Sequence, residues 1–137
     1  MASAPAFVGT PKCGLVQIVN ADASNQKTLV SAGANGSKIV SVMLSTDDTS
    51  SRIIQLSIKR SSTNYILGSV TVATLAGTDG VTPAQPAFDL SLLRGLPVDN
   101  DGNPFIFLES GDELDIKSTT TVTSGKTVHA VAVYGDF

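Results

Sequence analysis

The stretch Ser51–Val72 reads SRIIQLSIKRSSTNYILGSVTV. In its first half Ile54, Leu56 and Ile58 alternate with Gln55, Ser57 and Lys59. In its second half Val70 and Val72 alternate with Ser69, Thr71 and Ala73. Between the halves lies Ser61-Ser62-Thr63-Asn64, built from residues that turns favour. Period-two alternation rich in β-branched residues marks a strand with one buried face. The stretch therefore predicts two strands, 51–60 and 65–75, joined by a turn.

The same pattern continues outward in both directions. Leu114 and Ile116 alternate with Glu113, Asp115 and Lys117; Val128, Ala130 and Ala132 alternate with Thr127, His129 and Val131. Asn35-Gly36 separates Thr28–Ser31 from Lys38–Ser45 and suits a two-residue hairpin, whose central positions both need positive φ. Asp47-Asp48-Thr49, Ser110-Gly111-Asp112 and Ser124-Gly125 mark further turns. Strands are expected at 14–20, 27–32, 37–46, 51–60, 65–75, 104–109, 113–119 and 126–134. A short turn near Leu90–Arg94 is the one helical candidate. The expected fold is all-β: an antiparallel β-sandwich of jelly-roll or Greek-key type with about eight strands, with a closed barrel as the alternative.

Two stretches fall outside the pattern. Residues 1–13 are small, carry Pro5 and Pro11, and read as a flexible N-terminal arm. The remainder, 14–137, reads as a single β-sandwich domain. Residues 76–103 form a long connection punctuated by Gly77, Gly80, Gly95, Gly102, Pro83, Pro86 and Pro97. Connections this long in compact domains are usually functional or docked on something.

Composition narrows the function classes. The chain has 137 residues, a length suited to one core. It is 42% apolar and only 15% charged, so its 16 Ser and 14 Thr must supply part of its polar surface. The net charge is −3, and nine scattered Lys and Arg make no basic patch for nucleic acid or for an anionic membrane. No apolar run approaches the length of a membrane span. The opening Met-Ala-Ser-Ala-Pro-Ala-Phe lacks the basic and apolar regions of a signal peptide, so synthesis in the host cytoplasm is expected. The single cysteine, Cys13, cannot form an intrachain disulfide.

The motifs that could carry chemistry each have a plainer account. Gly125-Lys126-Thr127 looks like the end of a phosphate loop, but the required first glycine falls at Thr120 and a strand follows. Asp99-Asn100-Asp101-Gly102-Asn103 looks like part of a calcium loop, yet an EF-hand in that register would begin at Pro97 and end at Leu108, neither a ligand. His129, the only histidine, sits mid-strand with no nucleophile elbow anywhere in the chain. Glu109, Asp112, Glu113 and Asp115 cluster at one turn, but Trp is absent and Tyr occurs only at 65 and 134, which supplies a sugar groove poorly. Asn35-Gly36-Ser37 fits a glycosylation sequon, but without a secretory signal the hairpin turn is the better account. No catalytic residue, metal site or cofactor is expected.

A small, acidic, hydroxyl-rich β-domain carrying Leu96-Pro-Val-Asp-Asn-Asp-Gly-Asn-Pro-Phe-Ile-Phe-Leu108, followed by Gly111-Asp112-Glu113-Leu114, resembles the cement or decoration proteins of tailed-bacteriophage capsids, of the jelly-roll type. The resemblance covers about residues 14–137. It implies a non-enzymatic virion protein on the outer capsid surface that stabilises seams between major capsid protein subunits and associates with itself as a dimer or trimer. It carries over no functional residue. Phe7 and Val8 on the arm, with Tyr134 and Phe137 at the other terminus, are the apolar groups expected to meet partners. Rival readings are a tail, baseplate or fibre component, and a calcium-dependent carbohydrate-binding jelly roll using the Asp99–Asn103 loop.

Overall fold

The computed structural model describes residues 9–137. Nine strands form in chain order: β1 (Thr10–Val19), β2 (Lys27–Ser31), β3 (Ser37–Thr46), β4 (Arg52–Arg60), β5 (Thr63–Val72), β6 (Gln85–Pro86), β7 (Ile106–Leu108), β8 (Glu113–Ser118) and β9 (Thr127–Asp136). They make two antiparallel sheets rather than a closed barrel. The front sheet runs β1-β9-β3, with β6 and β7 both lying along the far side of β3. The back sheet runs β2-β8-β4-β5. If β6 and β7 count as one interrupted strand, each sheet has four strands. The chain changes sheet at every connection except β4–β5 and β6–β7, and the order of both sheets is that of a jelly roll.

The alternation in the sequence explains the core. Ile54, Leu56, Val70, Val72, Leu114 and Ile116 point inward from the back sheet and are fully buried. Ile18, Ile39, Val42, Leu44, Val128 and Ala132 meet them from the front sheet. A bulge at Val40 lets Ile39 and Val42 both point inward, since it adds one residue to β3 against β9.

Two features differ from the sequence reading. First, β1 starts at Thr10, so residues 10–13, expected in the arm, are zipped to Val133–Asp136 of β9. Lys12 holds Asp136 at 2.7 Å there, and Pro11 is tolerated because β1 is an edge strand. Second, Asn35-Gly36 does not close a hairpin. Gly36 has φ +87 but Asn35 lacks the positive φ of a two-residue hairpin, the Gly36 N–H closes on the Gly33 carbonyl at 3.0 Å, and β2 and β3 lie in different sheets, so the turn is a corner. A Cβ on Gly36 would come within 2.7 Å of the Leu108 carbonyl oxygen.

The long connection is docked on its own domain. Ala87 donates to the Val42 carbonyl at 2.8 Å, and Phe88 and Leu93 are buried. Leu93 lies where a side chain on Gly68 would be. The helical candidate at Leu90–Arg94 is a single turn, with the Leu93 N–H donating to the Asp89 carbonyl at 2.7 Å.

Candidate docking face

The outer face of the front sheet is built from the outward positions of β1, β9 and β3. Register places Cys13, Val133 and Ser41 in one row, Leu15, Val131 and Met43 in the next, and Gln17, His129 and Ser45 in the third. None of these nine positions holds Asp, Glu, Lys or Arg. The middle row is the most apolar, and Pro86 of β6 extends it beside Met43. Leu15 is 73% exposed, Met43 44%, Val133 42% and Val131 38%. At the polar end the Gln17 amide donates to His129 Nε2 at 3.2 Å.

The back sheet presents the opposite character. Its outward rows pair Gln55 with Lys117, Ser57 with Asp115, and Lys59 with Glu113. Several of the polar groups there have partners on the same face, although Asp115 Oδ1 is buried without one. Thr28 Oγ1 donates to Glu113 at 2.8 Å, and Asn64 Nδ2 donates to Asp115 at 3.0 Å and to Ser57 at 2.9 Å. A sheet that faces water alternates apolar-in and polar-out, and the back sheet does so over Gln55–Lys59 and Glu113–Lys117, with Ile53 and Ile66 as exposed exceptions. The front sheet places large apolar groups on both sides of β9, and a contiguous exposed apolar patch of this kind marks an interaction surface.

A second group gathers at the end of the sheet where β7 pairs with β3. The Phe105 and Phe107 rings meet edge to face at 4.9 Å, and Phe137 lies 5.9 Å from Phe107. The Lys38 ammonium sits 4.7 Å from the Phe105 ring centre. Beyond Phe107 an open apolar cleft of about 440 Å³ runs between Ile58 and Ile66 on one side and Leu93 and Leu96 on the other.

The residues singled out from sequence fall in different places. Phe7 and Val8 lie outside the described residues. Tyr134 is half-buried and packs against the core opposite Ile39, away from the uncharged face. Phe137 belongs to the aromatic group and is tied back by its N–H, which donates to the Gly36 carbonyl at 3.2 Å. Cys13 is exposed on β1.

The acidic motifs are engaged in structure. Asp99 Oδ1 accepts the N–H groups of Asp101 and Asn103, both at 2.9 Å, and holds its carboxyl below the usual range mainly through the Asn103 bond. Asp112 takes Arg60 in a two-pronged bond at 2.6 and 2.7 Å, which holds its carboxyl low, and Glu109 meets the same guanidinium at 3.1 Å. Gly125-Lys126 forms a turn in which Lys126 N–H donates to the Thr123 carbonyl at 2.9 Å. Among the described residues no three metal-ligating side chains converge, and no helix is long and apolar enough to cross a membrane.

Sequence reasoning missed the uncharged face. Its signal was present: Val131 and Val133 occupy the alternate positions of β9 that a water-facing strand gives to polar residues.

No protein-family model matches the chain, and no curated protein matches it in sequence. Solved structures do. A chain in the cyanophage Pam1 capsid asymmetric unit is 16% identical over 100% of this chain and 92% of that one, at a TM-score of 0.45. A chain in the acidic stable capsid structure of Helicobacter pylori bacteriophage KHP30 is 11% identical over 94% of this chain and 90% of that one, at a TM-score of 0.59. At that identity the likeness is one of architecture: this chain shares its fold with a component of the KHP30 capsid structure.

Proposed function

We propose that this chain is a capsid cement, or decoration, protein that docks by the outer face of its front sheet onto the outside of a phage head. The observation that carries the reading is the contrast between the two sheet faces: one uncharged across its three central rows and most apolar in the middle one, the other carrying Lys59, Glu113, Asp115 and Lys117. Burying the three central rows costs little desolvation, because none of their nine positions holds Asp, Glu, Lys or Arg, and Lys38 lies one row beyond them. A specific contact needs about 800 Å² from each partner, so the three uncharged rows form the centre of the contact and the surrounding groups its rim. The shared fold with a chain of a phage capsid structure supports a virion setting.

In this reading the partner is the major capsid protein at a seam between its subunits. The protein makes and breaks no bond; it adds contact area to a shell under internal pressure. Phe7 and Val8, which precede β1, extend that contact, and Phe137 adds to it from the aromatic end. The rival calcium-dependent lectin reading would draw on the Asp99–Asn103 loop, where Asp99 Oδ1 already accepts two backbone N–H groups of its own turn.

The test is direct. Purified protein is mixed with heads that lack outer-surface proteins. Saturable binding and a higher temperature of head disruption are expected. The Met43→Glu and Val131→Glu double variant should lose both effects while unfolding at the wild-type temperature. A folded wild-type protein that does not bind heads would remove the reading.

A further inference from the structure

The free edge of β1 is the unusual edge of this molecule. Edge strands expose rows of unpaired N–H and C=O groups and are normally blunted by bulges, charges or brevity. On the back sheet, β5 is interrupted by a bulge at Leu67 and β2 by one at Leu29. On the front sheet, β6 and β7 are short. By contrast β1 pairs with β9 through ten consecutive residues without a register shift, and Cys13–Val19 contains no charge.

Which groups face outward follows from two contacts. The Gln17 carbonyl accepts Lys27 Nζ, and the Val19 N–H donates to Asp22 at 2.8 Å. Both partners lie outside the front sheet, so the odd-numbered residues of β1 turn their backbone groups away from β9. Alternation puts the N–H and C=O of Cys13 and Leu15 on that same side, where no described strand pairs with them.

We infer that β1 pairs with β1 of a second copy, antiparallel about a two-fold axis at Gly14, joining two front sheets into one. The inference does not rest on the capsid reading. The register follows from elimination. In a two-fold pairing, the outward-facing residues must oppose each other. Setting Leu15 opposite Pro11 loses a donor, since proline has no N–H. Setting Cys13 opposite Gln17 meets a carbonyl already taken by Lys27. Setting Cys13 opposite Leu15 of the second copy uses every free group and repeats itself across the axis, as a two-fold interface must. Lys12 then faces Val16 of the second copy, so no like charges oppose each other. Leu15, exposed in one copy, is covered by Cys13 of the other, and the two uncharged faces become one continuous surface.

The experiment is sedimentation of the full chain with no head present, which keeps its outcome separate from the docking test. Wild type is expected at twice the 14.1 kDa chain mass. Leu15→Lys should sediment at the single-chain mass and stay folded, because Leu15 is exposed, while losing the concentration dependence of the wild-type unfolding temperature. Opposed residues in such a pair have Cα atoms about 5.5 Å apart, within disulfide range. Mild oxidation of Leu15→Cys should therefore give a covalent dimer reversed by reductant. The Cys13→Ala, Leu15→Cys double variant should not crosslink, since its thiols lie on a diagonal. A monomeric or trimeric wild type, a dimer that survives Leu15→Lys, or crosslinking without Cys13 would each overturn the inference.

Discussion

Asp48 is the most consequential single residue for stability. It is fully buried at the β3–β4 corner and accepts Arg52 Nε at 2.8 Å, the Thr123 N–H at 3.0 Å, Thr123 Oγ1 at 2.8 Å and the Ser50 N–H at 2.9 Å. Arg52 in turn reaches Thr120 and Thr123, so one ion pair ties this corner to the β8–β9 connection. Removing the carboxylate strands a buried guanidinium. Asp48→Ala should cost about 3–5 kcal/mol in urea unfolding, the usual loss when one partner of a buried pair is deleted. A loss under about 1 kcal/mol would mean that water already reaches Arg52.

Acid sensitivity follows from the same groups. Burial pushes the Asp48 carboxyl up, but Arg52 and the Thr123 and Ser50 N–H groups outweigh it and hold the carboxyl well below the ordinary range. Asp112 is held low by Arg60, and Asp136 by Lys12 and Ser37. A carboxyl depressed in the folded state stabilises the fold above its unfolded value, near 4, and that contribution fades as pH falls through the folded value. The unfolding temperature should therefore hold from neutrality to about pH 4 and drop below it. A midpoint that rises on acidification would contradict this assignment.

At the scale of elements, β4–β5 is the tight hairpin of the molecule. Its central residues Ser61 and Ser62 have φ +52 and +68, both in the left-handed region that two-residue hairpins demand. Serine accepts that conformation poorly compared with Asn and Gly. The Ser61→Asn, Ser62→Gly double variant should raise stability by about 0.5–1 kcal/mol, read as a higher urea midpoint with an unchanged slope. The interrupted edge strand is held differently. β6 pairs with Met43–Leu44 and β7 with Ser37–Ile39, and residues 87–105 loop out between them. Leu93 anchors that loop over Gly68. Leu93→Ala should cost about 2–5 kcal/mol and speed proteolysis within 87–105, measured by limited digestion.

The whole molecule has two unlike faces around one core. Charges on the uncharged face should leave the core untouched. Val131→Lys and Val133→Lys are each expected to change stability by no more than about 0.5 kcal/mol, while together they raise solubility, checked by thermal unfolding and precipitation midpoint. A large loss of stability would mean that the front sheet needs those valines for its own pairing.

Most strand positions were legible from residues such as Ile54, Leu56, Leu114 and Ile116, because period-two alternation is a local consequence of burying one side of a strand. The turns at Gly36 and Gly125 were legible too, since positive φ selects glycine locally, and Ser61-Ser62 was legible as a polar break between two alternating runs. Whether a turn closes a hairpin or carries the chain to the other sheet was not. Asn35-Gly36 and Ser61-Ser62 both read as turns, yet only Gly36 of the first pair takes a positive φ while both serines do, and one is a corner and the other a hairpin. That choice depends on which strands pair across the chain, and β1 with β9 pairs residues more than a hundred positions apart. The candidate docking face was hidden for the same reason. Leu15, Met43 and Val131 each look ordinary in their own strand; only the register of three strands lays them side by side.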